Sequence, residues 1–194
     1  MPRDTFAELP DDALLRAYAA GDGQAARALT ARHLPRVLTH ARRLLGQQAE
    51  AEDVAQEAML RLWRMAPDWR PGEAKLSTWL YRVVANLCLD RLRRARALPL
   101  EAVPEPLDTG PGVVRALQDA TRVDALHGAL MRLPGRQREA VVLRHIEGLG
   151  NDEIAAIMGV SVEAVESLTA RGKRALAAQL VGQRDELGYE DDRD

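Results

Sequence analysis

One cysteine, Cys88, stands in 194 residues. An intrachain disulfide is therefore impossible, and so is a four-cysteine zinc site within the chain. Aromatic residues make up only 4%, with a single phenylalanine. The 46% of hydrophobic residues must then build cores mainly from Leu, Val, Ala and Ile. Runs of β-branched residues with period-two alternation are missing, while Ala, Leu, Arg and Glu dominate, which predicts an all-helical protein. No apolar run approaches bilayer-spanning length, and the N-terminus MPRDTFAELPDD lacks a signal-peptide core. The cytoplasm is the expected compartment, with no direct membrane insertion. Catalytic patterns are missing too. His33, His40, His127 and His145 fall on different predicted helices without HExxH spacing, and there is no GxxxxGK(S/T) loop or GxSxG elbow. The reading is a non-enzyme with no cofactor and no metal site. The net charge of −2 argues against a generic DNA-coating protein. Charge is segregated, however: Arg91, Arg93, Arg94 and Arg96 form a basic run, and the tail DELGYEDDRD is acidic.

Helical patterning runs from a short N-terminal helix at Ala13–Tyr18, stopped by Gly21, to a longer one from Gln24 to Leu45. Pro35 falls inside the second, which predicts a kink or two abutting helices. A helix over Glu50–Met65 stops before Pro67, and residues 67–75 read as a loop. Ser77 or Thr78 is placed to cap the next helix, which runs to about Ala97. Residues 98–112, LPLEAVPEPLDTGPG, hold four prolines and two glycines, the composition of a flexible linker. Helices follow at about 113–130, 137–147, 151–158 and 161–180, with a turn at Pro134–Gly135. The expected organisation is two small helical domains, 8–97 and 113–181, joined by the linker and followed by an acidic tail at 182–194. Cores this small are only marginally stable alone.

The segment NDEIAAIMGVSVEAVESL reads as a helix-turn-helix. Ile154, Met158, Val160, Val165 and Leu168 have the spacing that buries one helix against the next. Ala155 is small where the helices approach, Gly159 sits where the turn needs a left-handed backbone, and Ser161 can cap the second helix. Small residues at these places also suit an ordinary helical hairpin. In the docking geometry of the motif, the start of the second helix faces base edges. The exposed candidates there are Ser161, Glu163, Ala164, Glu166 and Ser167. The two carboxylates repel phosphate but can accept from cytosine N4. Arg171, Lys173 and Arg174 reach toward the backbone, and this modest basic content predicts weak binding by the module alone.

In AEDVAQEAMLRLWRM, Val54, Ala58, Met59, Leu62 and Trp63 form the apolar side, with Trp63 read as core. Asp53, Gln56, Glu57, Arg61 and Arg64 line the other side, either a solvated face held by a Glu57–Arg61 pair or a protein-docking face. In the next helix Leu80, Val83, Val84, Leu87 and Cys88 point to a core, and Arg82, Asn86, Asp90 and Arg93 follow one another on the opposite stripe. Aromatics at its start and arginines at its end suit an unstacked nucleic-acid strand: rings stack on bases and guanidinium groups meet phosphates. Trp79 is expected to be partly core with a surface left for stacking, and Cys88 a small buried hydrophobe.

These motifs together, AEDVAQEAMLRLWR, then RPGEAKLSTWLYRVVANLCLDRLRR, then LPGRQREAVVLRHIEGLGNDEIAAIMGVSVEAVESL, strongly resemble the extracytoplasmic-function sigma factors of bacterial RNA polymerase. The likeness runs from about Asp11 to Leu180. It implies a core-polymerase contact at Asp53, Gln56 and Glu57. It implies capture of a flipped −10 base by the Pro71–Trp79 element, including Lys75, Ser77, Thr78 and Trp79. It implies −10 contacts from Arg82, Asn86, Asp90, Arg91, Arg93 and Arg94, and −35 reading as duplex by the helix-turn-helix. The family is usually restrained by an anti-sigma protein, so one is an expected partner beside core polymerase and promoter DNA. Two departures stand out. Glu166-Ser167-Leu168 replaces a common Lys-Ser-Arg run, and Thr169 and Gly172 stand where Leu and Ala are common. Gly172 is expected to weaken its helix by roughly 1 kcal/mol relative to Ala. Rival readings are a stand-alone helix-turn-helix regulator, which leaves the Glu50–Arg94 block unused, and a mimic that only titrates an anti-sigma protein.

Overall fold

A computed structural model describes residues 6, 8–72, 75–97 and 114–181. The linker at 98–112 and the acidic tail at 182–194 lie outside the described residues. Every regular element among the described residues is helical, and none is long and apolar enough to cross a membrane.

Helix α1 (Asp11–Ala19) begins after Pro10, with Asp11 and Asp12 in the first turn, where carboxylates complement the helix dipole. Helix α2 (Gly23–Leu45) is capped by Asp22, which accepts from the Gln24 amide at 2.8 Å, and closes on Gly46 at φ +83°. It is one continuous helix through Pro35, not two abutting ones. Ala31, whose carbonyl loses its partner at the proline, and Pro35 itself are both exposed, so solvent can satisfy that carbonyl. The opposite stripe of Leu29, His33, Val37, His40, Ala41 and Leu44 is buried. Helix α3 (Gln48–Met65) leads through a 3₁₀ turn at Ala66–Asp68 to α4 (Leu76–Ala97). Neither Ser77 nor Thr78 is the cap of α4. The Trp79 amide donates to the Lys75 carbonyl at 3.1 Å, so the helix starts earlier and both hydroxyl residues sit in its first turn.

The C-terminal half contains α5 (Val114–Arg132), α6 (Gly135–Val141), α7 (Asn151–Met158) and α8 (Val162–Val181). The single helix expected at 137–147 is instead a short α-helix that widens into a π segment over Val142–Ile146. Gly159 has φ +63°, as the turn between α7 and α8 requires, and Ser161 Oγ accepts from the Ala164 amide at 3.3 Å. Gly172 has a packing role beyond its propensity. It is buried, and a Cβ there would meet Val141 Cγ2 at 2.5 Å and the Gln137 carbonyl at 3.2 Å. The missing side chain is what lets α8 lie on α6.

Leu14, Leu29, Val54, Leu62, Leu80 and Val84 form a core that continues without a break into Leu130, Leu133, Val141 and Val142. A second cluster joins Tyr81 of α4 to Leu143, Ile154, Ile157, Met158 and Val165. The two halves thus share buried surface, which answers the marginal stability that each has alone.

Candidate polymerase and nucleic-acid interfaces

Helix α3 buries Ala51, Val54, Ala55, Ala58, Met59 and Leu62. Its other side presents Asp53, Gln56, Arg61 and Arg64 to solvent, with Glu57 half-buried. Glu57 and Arg61 pair at 2.9 Å, one turn apart. Among these polar groups lies Leu60, 43% exposed, which the sequence reading passed over. Trp63 is not pure core: it is half-buried, with its ring 4.8 Å from that of Tyr18. The α1 side chains hold down the end of this unit, since Asp12 accepts from the Trp69 indole at 2.8 Å.

Helix α4 faces inward with Leu76, Leu80, Tyr81, Val84, Ala85 and Cys88. Burial pushes the Cys88 thiol up to about 12, so it is an inert hydrophobe. Arg82, Asn86, Asp90, Arg93 and Arg94 are exposed, and spacings of four place Arg82, Asn86 and Asp90 on one stripe. Asp90 holds Arg93 at 3.6 Å. Arg91 departs from this stripe. It is half-buried, lies 3.5 Å from Asp53, and donates to the Glu50 carbonyl at 3.4 Å, tying α4 to α3. In the first turn Ser77, Thr78 and Trp79 are half-buried, Trp79 as expected. An open concavity of about 530 Å³ lies beside Ser77, lined also by Pro10, Asp11, Asp12, Gly72, Lys75 and Leu76. Lys75 itself is exposed but paired with Glu153 of α7 at 2.9 Å.

On the helix-turn-helix, Ile154, Met158 and Val165 are buried, with Val160, Leu168 and Ala155 packed at the margin. Ile157 joins them, which the motif reading did not name. Ser161, Glu163, Glu166, Ser167, Arg171, Lys173 and Arg174 are exposed, and Ala164 is half-buried. Glu163 titrates low, held by its own backbone amide and the Ser161 hydroxyl at the helix start. Asn151 donates to Glu166 at 3.4 Å across the turn.

The least expected cluster lies between the halves. Glu147 accepts from Arg43 at 2.5 Å and from the Tyr81 phenol at 2.9 Å, and His40, fully buried, stands 3.7 Å away. Burial alone raises an acid. For Glu147 the neighbouring His40, Tyr81 and Arg43 outweigh it and pull the group down to about 2. Burial, reinforced by Glu147, pushes the Tyr81 phenol up to about 12. Burial also holds His40 below its usual range. No sequence motif signals this cluster, because its members are remote in the chain and meet only on packing.

Two family models match: Sigma-70 region 2 over residues 29–98, and Sigma-70, region 4 over residues 124–176. The chain is 40% identical over 175 residues to the ECF RNA polymerase sigma factor SigM of Mycobacterium tuberculosis, covering 90% of this chain and 86% of that relative. It is 38% identical over 152 residues to SigE of Mycolicibacterium smegmatis, covering 76% of this chain but only 58% of SigE. Among solved structures it is similar to CnrH in complex with the cytosolic domain of CnrY, at 29% identity and a TM-score of 0.66, covering 89% of this chain and 97% of CnrH. With sigma region 2 and region 4 in order on one helical scaffold, the chain belongs to the extracytoplasmic-function sigma factors of RNA polymerase.

Proposed function

We infer that this chain is an alternative sigma factor that binds core RNA polymerase and directs promoter-specific initiation through −10 and −35 recognition. The observation that supports the reading is two exposed polar surfaces within the stretches that match sigma region 2 and region 4: the Arg82–Asn86–Asp90 stripe of α4 and the start of α8. Its role is one of binding, with the chemistry left to the polymerase. Asp53, Gln56 and Glu57 on α3 contact core enzyme. Asn86 has the donor and acceptor that base reading needs, and Arg91, Arg93 and Arg94 supply phosphate contacts, with Arg82 beside Asn86 on the same stripe. The concavity lined by Lys75 and Ser77, with Thr78 and Trp79 next along the helix, takes an unstacked −10 base. Ser161, Glu163, Ala164, Glu166 and Ser167 face the −35 duplex, with Arg171, Lys173 and Arg174 toward its backbone. Neither surface is strongly basic. Each gains from being fixed to the polymerase, which raises the effective concentration of the other. The similarity to CnrH, solved in complex with the cytosolic domain of CnrY, supports a protein partner for this chain, and the family resemblance makes an anti-sigma protein in the cytoplasm the candidate.

Run-off transcription with core polymerase on the promoter upstream of the chain's own gene tests this. Initiation that depends on added protein is expected. Transcription unchanged by its addition, with no binding to core, counts against the reading.

A further inference from the structure

The concavity near Ser77 has two walls from distant parts of the chain. Gly72, Lys75, Leu76 and Ser77 supply one, leading into α4, and Pro10, Asp11 and Asp12 supply the other, at the start of α1. Leu76 is buried, so the beginning of α4 is fixed by core packing. The segment before it has far less support. Pro67, Asp68, Arg70, Pro71, Gly72 and Lys75 are exposed, and Gly72 turns through φ +89° with open space around it. Trp69 is the one described residue between Ala66 and Leu76 that is not exposed. Its ring packs against the core, and its indole N–H donates to Asp12 Oδ1 at 2.8 Å. The adjacent Asp11 turns the other way, accepting from Arg32 of α2 at 2.6 Å and lying 3.0 Å from His33. The two carboxylates thus tie the start of α1 to α2 on one side and to the segment before α4 on the other.

We propose that Asp12 is a positioning residue for strand capture. By holding the Trp69 indole it sets the α1 wall against the α4 wall, so the concavity is formed before a base enters it. The proposal rests on the functional reading above, in which that concavity takes an unstacked −10 base.

Connection is the first argument. Asp12 and Trp69 are 57 residues apart, and their bond links α1 to the segment that leads into the opposite wall. Direction is the second. An indole N–H is a single donor in the plane of its ring, so one acceptor sets how the ring lies. Preorganisation is the third. Capture has to offset the unstacking of the base. A segment ordered only on capture sets its ordering cost against the same contacts, whereas one ordered in advance does not.

The test couples Asp12 to the captured base. Wild-type holoenzyme first locates that base, as the −10 position where an abasic site slows open-complex formation most. Asp12→Ala, in the full chain with core polymerase, is expected to slow open-complex formation about tenfold on the intact promoter. Asp12→Asn keeps a carbonyl acceptor for the indole and is expected to stay within about twofold of wild type. The abasic site should slow Asp12→Ala by less than about twofold more, because the capture it removes is already lost. Core binding should stay within about threefold for each variant. Equal abasic penalties in wild type and Asp12→Ala overturn the proposal, since the residue then acts independently of the base. An Asp12→Asn variant as slow as Asp12→Ala also overturns it, because the charge at the helix start would then be what matters.

Trp69→Phe approaches the same bond from the other side and guards against a misfolded Asp12 variant. It keeps a packed ring and removes the donor. It should open the intact promoter about as slowly as Asp12→Ala and respond as little to the abasic site. Wild-type rates with Trp69→Phe overturn the proposal, as does a wild-type chain that opens the promoter with no base-sensitive −10 position. A wild-type chain that yields no transcript and no core binding overturns the functional reading instead.

Discussion

Gly172 shows how one absent side chain can outweigh helix propensity. Alanine would gain roughly 1 kcal/mol in an exposed helix. Here its Cβ would stand 2.5 Å from Val141 Cγ2, a branched side chain that is itself buried, and 3.2 Å from a backbone oxygen. Overpacking of this kind costs about 1–3 kcal/mol. Gly172→Ala should therefore lower the melting temperature by a few degrees, and a raised melting temperature would mean that α8 slides outward without loss. Glu139 is the second residue with a measurable consequence. It is 1% exposed, and burial pushes it up to about 7 from 4.5. A raised acid contributes fully below its unfolded value, so its stabilising contribution is present below about pH 4.5 and is lost as pH rises through about 7. The loss is on the order of 3 kcal/mol. Glu139→Gln should accordingly raise the melting temperature at pH 8 by several degrees and change it little at pH 5. Equal effects at both values would mean that Glu139 is not protonated in the fold. At this scale the sequence was legible wherever a residue answers a local rule: Gly159 at positive φ, Ser161 as cap and Cys88 as buried filler all follow from near neighbours. Tyr81 was not legible, because its position on the apolar stripe of α4 says that it is covered but not by which partner.

Helix α4 separates two arginines that look equivalent in sequence. Arg93 is exposed and pairs with Asp90, one turn earlier, an arrangement worth little to stability. Arg91 is folded onto α3 through Asp53 and the Glu50 carbonyl. Arg93→Ala should cut promoter-dependent transcription while changing stability by less than about 0.5 kcal/mol. Arg91→Ala should lower the melting temperature as well, and should weaken core binding, since it frees Asp53 on the polymerase face. Parallel melting curves and core-binding assays on both variants check this, and identical behaviour would place both on the same DNA-facing stripe. Helix existence was legible throughout from apolar spacing and from breakers such as Gly21, Gly46 and Pro67. What failed was the local course of the chain. Pro35 does not divide α2, because the Ala31 carbonyl it leaves without a helical partner belongs to an exposed residue, and the π segment after Val141 follows no propensity rule. Both outcomes depend on which face the rest of the fold covers.

At the scale of the whole molecule, the decisive fact is that the halves are coupled through polar groups as well as apolar ones. Arg138 is 5% exposed, and its guanidinium donates to the carbonyls of Leu44, Met131 and Leu133, the first in one half and the others in the second. Leu44 belongs to the last turn of α2, whose carbonyls have no partner within the helix. A buried carbonyl left unpaired costs about 1–3 kcal/mol. Arg138→Met preserves an unbranched apolar stem but removes the guanidinium donors. Because one of those bonds crosses between halves, the variant should lose cooperativity as well as stability. Calorimetry should show a single transition in the wild type resolve into two, and scattering should show the halves apart at temperatures where each remains helical. A single transition displaced to lower temperature would mean instead that Arg138 braces only the turn before α6, and that the shared apolar core between Leu133, Val142 and α4 is enough to keep the halves together.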